Sequence, residues 1–317
     1  MTKKYLVFVD GQEGTTGLEI NQRLLKRNDI EILKIDPEKR KDIDERRKYI
    51  NQADIVFLCL PDDAARESVS LIENPSVRII DASTAHRTLD SWAYGIPELS
   101  TEHRKAIENS KRVAVPGCFA TGFNMLLYPL IKSGIVSAES NITCHSVTGY
   151  SGGGKKLIGI YEAEENKQKL SSPCLYALGL THKHLPEMQK HSGLSSCPIF
   201  TPMVCNYYRG MTVAIPLFTD MLSKITTPAE LSLFYGDYYQ GQKFVKTFPA
   251  NIQDQLELGY LNAESCNYTN NIEILVFGNG RQVLVVARLD NLGKGASGAA
   301  VQNMNIMLGI DEQEGLA

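Results

Sequence analysis

An apolar run, a glycine-spaced loop and a helical pattern follow one another near the start of the chain: Tyr5-Leu-Val-Phe-Val9, then Asp-Gly-Gln-Glu-Gly-Thr-Thr-Gly, then a helix from Thr16 to Lys26. The alternation continues with Ile30 to Ile35, Ile55 to Leu60, a helix from Asp63 to Ile72, and Val77 to Ile80. Short apolar strands separated by helix-length segments bury both faces as a parallel sheet flanked by helices, which constrains the first third to an α/β, Rossmann-type layer. Gly11, Gly14 and Gly17 are spaced G-x-x-G-x-x-G at the first strand-to-helix turn, with Thr15 and Thr16 between them. Glycines there let the backbone approach a pyrophosphate, and the helix N-terminus supplies N–H donors. The spacing differs from the commoner G-x-G-x-x-G, and a strand-to-helix turn without a ligand is the competing reading.

The end of the second strand is where such a fold reads the ribose. Asp36 there would accept from a 2′-hydroxyl and select NAD, whereas Lys39-Arg40-Lys41 just after it could pair with a 2′-phosphate and select NADP. The basic residues, Arg40 among them, favour NADP; a solvated helix face accounts for the same charges. After the fourth strand, Asp81-Ala-Ser83-Thr84-Ala-His86-Arg87 falls at the carboxyl end of the sheet, where ligands bind. Ser83 is placed to touch the cofactor, and Arg87 is a fixed charge suited to a carboxylate or phosphate. Trp92, the only tryptophan, reads as a packing anchor.

Cys118 lies in Val-Pro-Gly-Cys-Phe-Ala-Thr-Gly, where the strand-like run Arg112 to Val115 passes into a helical pattern from Phe119 to Ile131. A thiol at a helix N-terminus meets amide N–H groups and a dipole that favour a thiolate, and the same amides stabilise an oxyanion on an attacked acyl carbon. The competing reading is a half-buried structural cysteine. Further on, His145 to Tyr150 reads as a strand, and Ser151-Gly-Gly-Gly-Lys155-Lys156 as a flexible loop able to wrap an anion. In Thr181-His182-Lys183-His184-Leu185-Pro186-Glu187, two imidazoles point to one side of an extended chain that enters a helix. Histidine is the proton shuttle that a cysteine nucleophile needs. A metal site built from Cys174, His182, His184, His191 and Cys197 fits no zinc spacing, so no metal is expected.

With 317 residues, 43% of them hydrophobic, the chain has material for two domains. A net charge of −3 gives no basic field for nucleic acid, and no 18-residue apolar window suggests a membrane span. Met-Thr-Lys-Lys runs into a strand instead of a signal segment, which points to the cytoplasm. Seven cysteines at irregular spacings argue against a disulfide framework. Near the end, Ile272 to Phe277 and Gln282 to Leu289 flank Gly-Asn-Gly-Arg and form an antiparallel hairpin, and Asp290-Asn291 leads into a helix rich in small residues.

Taken in order, Gly-x-x-Gly-Thr-Thr-Gly at 11 to 17, Leu-Cys-Leu-Pro-Asp-Asp-Ala-Ala-Arg at 58 to 66, Asp-Ala-Ser-Thr-Ala-His-Arg at 81 to 87, Pro-Gly-Cys-Phe-Ala-Thr-Gly at 116 to 122, Gly-Tyr-Ser-Gly-Gly-Gly-Lys at 149 to 155, His-Lys-His-Leu-Pro-Glu-Met at 182 to 188 and the run from Leu289 to Asn303 span the chain. This set closely resembles the short, type 2 form of the N-acetyl-gamma-glutamyl-phosphate reductase family. Val115 and Thr148 depart from the family's usual Asn and Ser. The resemblance implies the fold of the aspartate-semialdehyde dehydrogenase and glyceraldehyde-3-phosphate dehydrogenase superfamily: a Rossmann domain over 1–117, an inserted mixed α+β catalytic and oligomerisation domain over 118–290, and a closing helix over 291–317 that returns to the first domain. It implies NADP(H), a role in arginine biosynthesis, and a homodimer or homotetramer. The substrates implied are N-acetylglutamyl phosphate and phosphate.

On the same resemblance Cys118 is the nucleophile, and the catalytic imidazole falls on His184 or His182, with His184 preferred because it adjoins the Pro-Glu helix start. Gly11, Gly14, Thr15, Thr16, Gly17, Arg40, Ser83 and Asn291 fall to the cofactor, and Arg87, Ser151, Lys155 and Arg209 to the substrate. Two other functions fit the residues: an acyl-phosphate reductase for aspartyl or aminoadipyl phosphate, or a dinucleotide-sensing regulator without catalysis.

Overall fold

The computed structural model describes residues 4–225 and 227–316. Met1, Thr2 and Lys3, which bear on the signal-segment reading, lie outside the described residues. Residues up to Pro116, with those from Ala296 onward, make one compact unit, and Gly117–Gly295 make a second.

The first unit alternates β1 (Tyr5–Asp10), α1 (Thr15–Leu24), β2 (Ile30–Leu33), α2 (Ile43–Gln52), β3 (Ile55–Leu58), α3 (Asp62–Ser70), β4 (Arg78–Asp81), β5 (Ala93–Tyr94), α4 (Thr101–Asn109) and β6 (Arg112–Ala114). Its six strands are all parallel, in the order β2-β1-β3-β4-β6-β5. The order reverses between β1 and β3, the switch point at which doubly wound sheets open a crevice beyond the strand ends. Both faces are apolar. Val7, Ile20, Phe57 and Ile80 pack with Ala299, Ala300 and Met304 of the closing helix on one side, while Phe8, Ile50, Val56 and Ala65 pack on the other.

The second unit contains α5 (Cys118–Lys132), β7 (Thr143–Gly149), α6 (Gly154–Glu162), β8 (Cys174–Leu175), α7 (Leu185–Ser192), β9 (Ile199–Cys205), β10 (Met211–Phe218), α8 (Pro228–Tyr238), β11 (Val245–Thr247), β12 (Ile272–Gly278) and β13 (Gln282–Leu289); α9 (Gly298–Leu308) then belongs to the first unit. Its seven strands form a mixed sheet, β11-β12-β13-β10-β7-β9-β8, in which β11 with β12 and β7 with β9 are parallel. The expected hairpin is present, with Leu275 opposite Val286. Helix α5 lies across β10 and β13. The opposite face is open where Pro216, Phe218 and Leu284 line a groove of about 560 Å³. Among the described residues no helix is long and apolar enough to cross a membrane.

The structure differs locally from the sequence expectations. The strand expected at His145 to Tyr150 runs from Thr143 to Gly149, and the glycine loop after it is a 3₁₀ turn with Ser151 buried. The helix expected soon after Asp290 begins at Gly298, behind a π-helical turn at Gly293–Ser297. Helix α2 went unread because its Asp-Glu-Arg-Arg-Lys run resembles a solvated charge cluster, although Asp42 caps it by accepting from the Asp44 and Glu45 amides.

Helix α5 contains Pro129, so the Met125 carbonyl, four residues earlier, has no amide to meet inside the helix. Tyr239 fills that role: its hydroxyl donates to the Met125 carbonyl at 2.6 Å, and Tyr235 donates to the Leu126 carbonyl at 2.6 Å. Both rings are buried. Tyr239→Phe is expected to strand a buried carbonyl and lower stability by about 1–3 kcal/mol, read as a lower urea midpoint at unchanged slope.

Candidate active site

The nucleotide-side residues lie in the first unit at the switch point. Gly11 has φ +88°, and a Cβ there would stand 2.4 Å from the Cys59 carbonyl oxygen. Only glycine permits that backbone and that approach, so the loop after β1 closes tightly on the loop after β3. The Gly14 amide donates to the Gly11 carbonyl at 3.1 Å, and Gly14 is the N-cap of α1 without a capping side chain. Thr15 opens the helix, and its hydroxyl oxygen is buried with no hydrogen-bond partner among the described residues. Thr16 is partly buried beside it, and Gly17 is buried. An uncapped helix start beside an unsatisfied buried hydroxyl fits the phosphates of a dinucleotide.

Around this loop the side chains are closely tied. Arg40 meets Glu13 of the loop at 2.5 Å. The Ser83 hydroxyl donates to Asp81 at 2.7 Å, and His86 Nδ1 lies 2.6 Å from the same carboxylate while its ring stacks on Trp92 at 4.1 Å. The packing role read for Trp92 matches this stack. Arg87 is buried, and its guanidinium donates to the Val115 and Ala82 carbonyls at 2.9 and 3.1 Å, so it holds two strand ends as well as carrying charge.

The thiol side lies in the second unit. Cys118 is the first residue of α5, and the N-cap Gly117 offers no capping side chain. The Gly117 amide instead donates to Glu187 Oε2 at 3.1 Å, and Glu187 is 2% exposed in the first turn of α7. One short helix therefore holds the cysteine loop and carries His184 at its own N-cap. The His184 amide donates to His182 Nδ1 at 3.1 Å, so neutral His182 bears its proton on Nε2, which lies 3.3 Å from the Tyr176 hydroxyl. Both nitrogens of His182 are engaged in local structure. The His182 and His184 rings are 4.7 Å apart, and Phe119, next to Cys118, lies 5.6 and 5.7 Å from them. Burial raises the Tyr176 hydroxyl well above its ordinary range, and the nearby Cys118 adds to the rise. The cysteine and both predicted histidines thus share one cluster.

A second network adjoins it. The Asn291 carboxamide accepts from the Gly210 amide at 2.8 Å and donates to the Ser151 hydroxyl at 3.0 Å. Arg209 faces the fully buried Asp290 at 3.3 Å and lies over the Tyr268 ring at 4.6 Å. Lys155 is apart from these, exposed in the first turn of α6. The Gly295 amide donates to the Asp290 carbonyl, and a Cβ on Gly295 would lie 2.7 Å from the Cys118 Cβ. Asp290, Gly295, Tyr176 and Glu187 were not singled out from sequence. Glu187 had a visible signal, an acid at the start of a helix, but its partner is 70 residues away.

Burial pushes Cys59 and Cys144 well up and Cys266 up to about 12, which keeps them protonated. Gly295→Ala is expected to displace the start of α5 and lower stability by about 1–3 kcal/mol. In that variant the rate of Cys118 alkylation by iodoacetamide is expected to fall while the exposed Cys197 labels as before, followed by peptide mass spectrometry.

A family model described as "Semialdehyde dehydrogenase, NAD binding domain" matches residues 12–107, and one described as "Semialdehyde dehydrogenase, dimerisation domain" matches 118–291. The chain is 48% identical to N-acetyl-gamma-glutamyl-phosphate reductase 2 of a Nostoc species, across 98% of each chain, and 44% identical to that of Pseudomonas putida, across 98% of this chain and 99% of the other. Among solved structures it is similar to the aspartate semialdehyde dehydrogenase of Francisella tularensis, with a TM-score of 0.72 at 16% identity over 96% of this chain and 100% of the other. The Candida albicans aspartate semialdehyde dehydrogenase with NADP gives 0.63 at 13% over 96% and 99%. Identities this low establish the fold alone.

Proposed function

The chain belongs to the semialdehyde dehydrogenase family, among its N-acetyl-gamma-glutamyl-phosphate reductases, and from that membership we propose that it reduces N-acetyl-L-glutamyl 5-phosphate to N-acetyl-L-glutamate 5-semialdehyde, with NADPH, in arginine biosynthesis. The observation that carries the reading is Cys118 at the uncapped start of α5, gathered with His184 through the Glu187 anchor.

Cys118 Sγ attacks the acyl carbon, a C–S bond forms, the C–O bond to phosphate breaks, and phosphate leaves a thioester on the chain. NADPH, when bound, supplies the hydride that reduces that thioester. The Cys118 backbone N–H and its neighbours at the helix start stabilise the oxyanion. His184 donates a proton to the developing alkoxide and takes it back as the C–S bond breaks and the aldehyde is released. His184 is favoured over His182 because it adjoins the start of α7. Gly11, Gly14, Thr15, Thr16, Gly17, Arg40 and Ser83 hold the dinucleotide, with Asn291 acting through the Ser151 loop. Arg209, Ser151, Lys155 and Arg87 meet the substrate's carboxylate or phosphate. The open face of the seven-stranded sheet, at Pro216, Phe218 and Leu284, receives a second copy of the chain. Light scattering on the purified protein is then expected to give at least twice the chain mass of 35.2 kDa.

The reaction is followed at about 340 nm in the oxidative direction, where the dinucleotide's absorbance reports hydride transfer. The assay contains the semialdehyde, NADP⁺ and phosphate, and omission of phosphate is expected to stall it at the thioester. Cys118→Ser is expected to abolish turnover with dinucleotide binding retained, and His184→Asn to lose about 10²- to 10⁴-fold in kcat. Substantial turnover in the serine variant would rule out covalent catalysis, and a larger loss at His182 than at His184 would exchange their roles.

A further inference from the structure

Glu13 occupies an unexpected place. It sits inside the turn between Gly11 and Gly14, immediately before an uncapped helix start, where a carboxylate repels the phosphates that such a loop attracts. Its carboxylate is met by Arg40 Nη1 at 2.5 Å, and the two side chains are 51% and 46% exposed. Arg40 lies just past β2, which pairs with β1 in the sheet, so the ion pair joins the two loops that bracket the ribose-reading position. Three other groups there, Asp36, Arg46 and Lys39, are occupied, while Lys41 is exposed. Asp36 is turned back on its own chain, its Oδ1 accepting from the Glu38 amide at 3.0 Å. Arg46, on α2, is buried against Asp10, Glu67 and Ser68. Lys39 leans toward Glu45 at 4.0 Å.

We propose that Glu13 is a specificity-determining residue: by competing for Arg40 it limits the preference of this chain for a dinucleotide bearing a 2′-phosphate over one bearing a 2′-hydroxyl. The inference rests on the dinucleotide reading given above. An exposed ion pair is weak, so Arg40 can be drawn from a single carboxylate to a more highly charged phosphate that accepts two N–H bonds. The competition taxes only the phosphate-bearing ligand. Glu13's direct repulsion of the pyrophosphate acts on both dinucleotides alike and cancels in the ratio of their affinities.

The test is a double-mutant cycle read by titration calorimetry, with NADP⁺ and NAD⁺ each added to the full chain without substrate. Glu13→Gln is expected to raise the ratio of NADP⁺ to NAD⁺ affinity about 2- to 5-fold, the scale of an exposed ion pair. Arg40→Ala is expected to lower the ratio about 10-fold or more. In the Arg40→Ala background Glu13→Gln is expected to leave the ratio unchanged. An unchanged or reduced ratio in Glu13→Gln, or a shift that persists without Arg40, overturns the proposal while dinucleotide binding itself stands. Failure of the unaltered chain to bind either dinucleotide overturns the cofactor reading and this inference with it.

Discussion

A buried carboxylate must be met by donors or it destabilises the fold, and Glu187 meets that demand partly through the amide of Gly117. That hydrogen bond makes α7 and the start of α5 one assembly. The acid sits in the positive first turn of its helix, and the same helix carries His184. Sliding α7 against α5 would break that hydrogen bond, which fixes the helix carrying the imidazole against the start of the helix carrying the sulfur. Phe119 packs against both histidine rings and Phe200, and Phe200 packs in turn on His182.

The two units solve related problems with different means. In the first, a glycine backbone lies against the Cys59 carbonyl, and an uncapped helix with an unsatisfied hydroxyl is what remains at the crevice. In the second, a glycine lies against the cysteine itself and donates to the Asp290 carbonyl, Asp290 faces the buried Arg209, and Asn291 donates to Ser151. Backbone approach shapes each site, and polar side chains then tie the loops. In both, a helix N-terminus without a capping side chain is presented, a place that favours negative charge.

Local chemistry was legible in the sequence, and distant pairing was not. The hairpin at 272–289, the turn from Gly11 to Gly17 and the helix behind Cys118 each announce themselves within a few residues through turn chemistry and periodicity. The parallel character of the first sheet followed from the alternation of strands and helices. What stayed hidden depends on partners far along the chain: Glu187 with Gly117, Asp290 with Arg209, Gly295 with Cys118. The π-helical turn at Gly293–Ser297 also lay beyond a reading that treats small residues as plain helix. Periodicity reports which face is buried, and it says nothing of what lies on the other side.

The proline within α5 has an implication for how such sequences diversify. Because the Met125 carbonyl takes its donor from Tyr239, positions 129 and 239 share one vacancy, and neither is free to drift alone. A descendant that exchanged the proline for a residue with an amide would release the tyrosine to become phenylalanine; one that kept it would retain a hydroxyl on α8. The two positions should therefore covary across relatives.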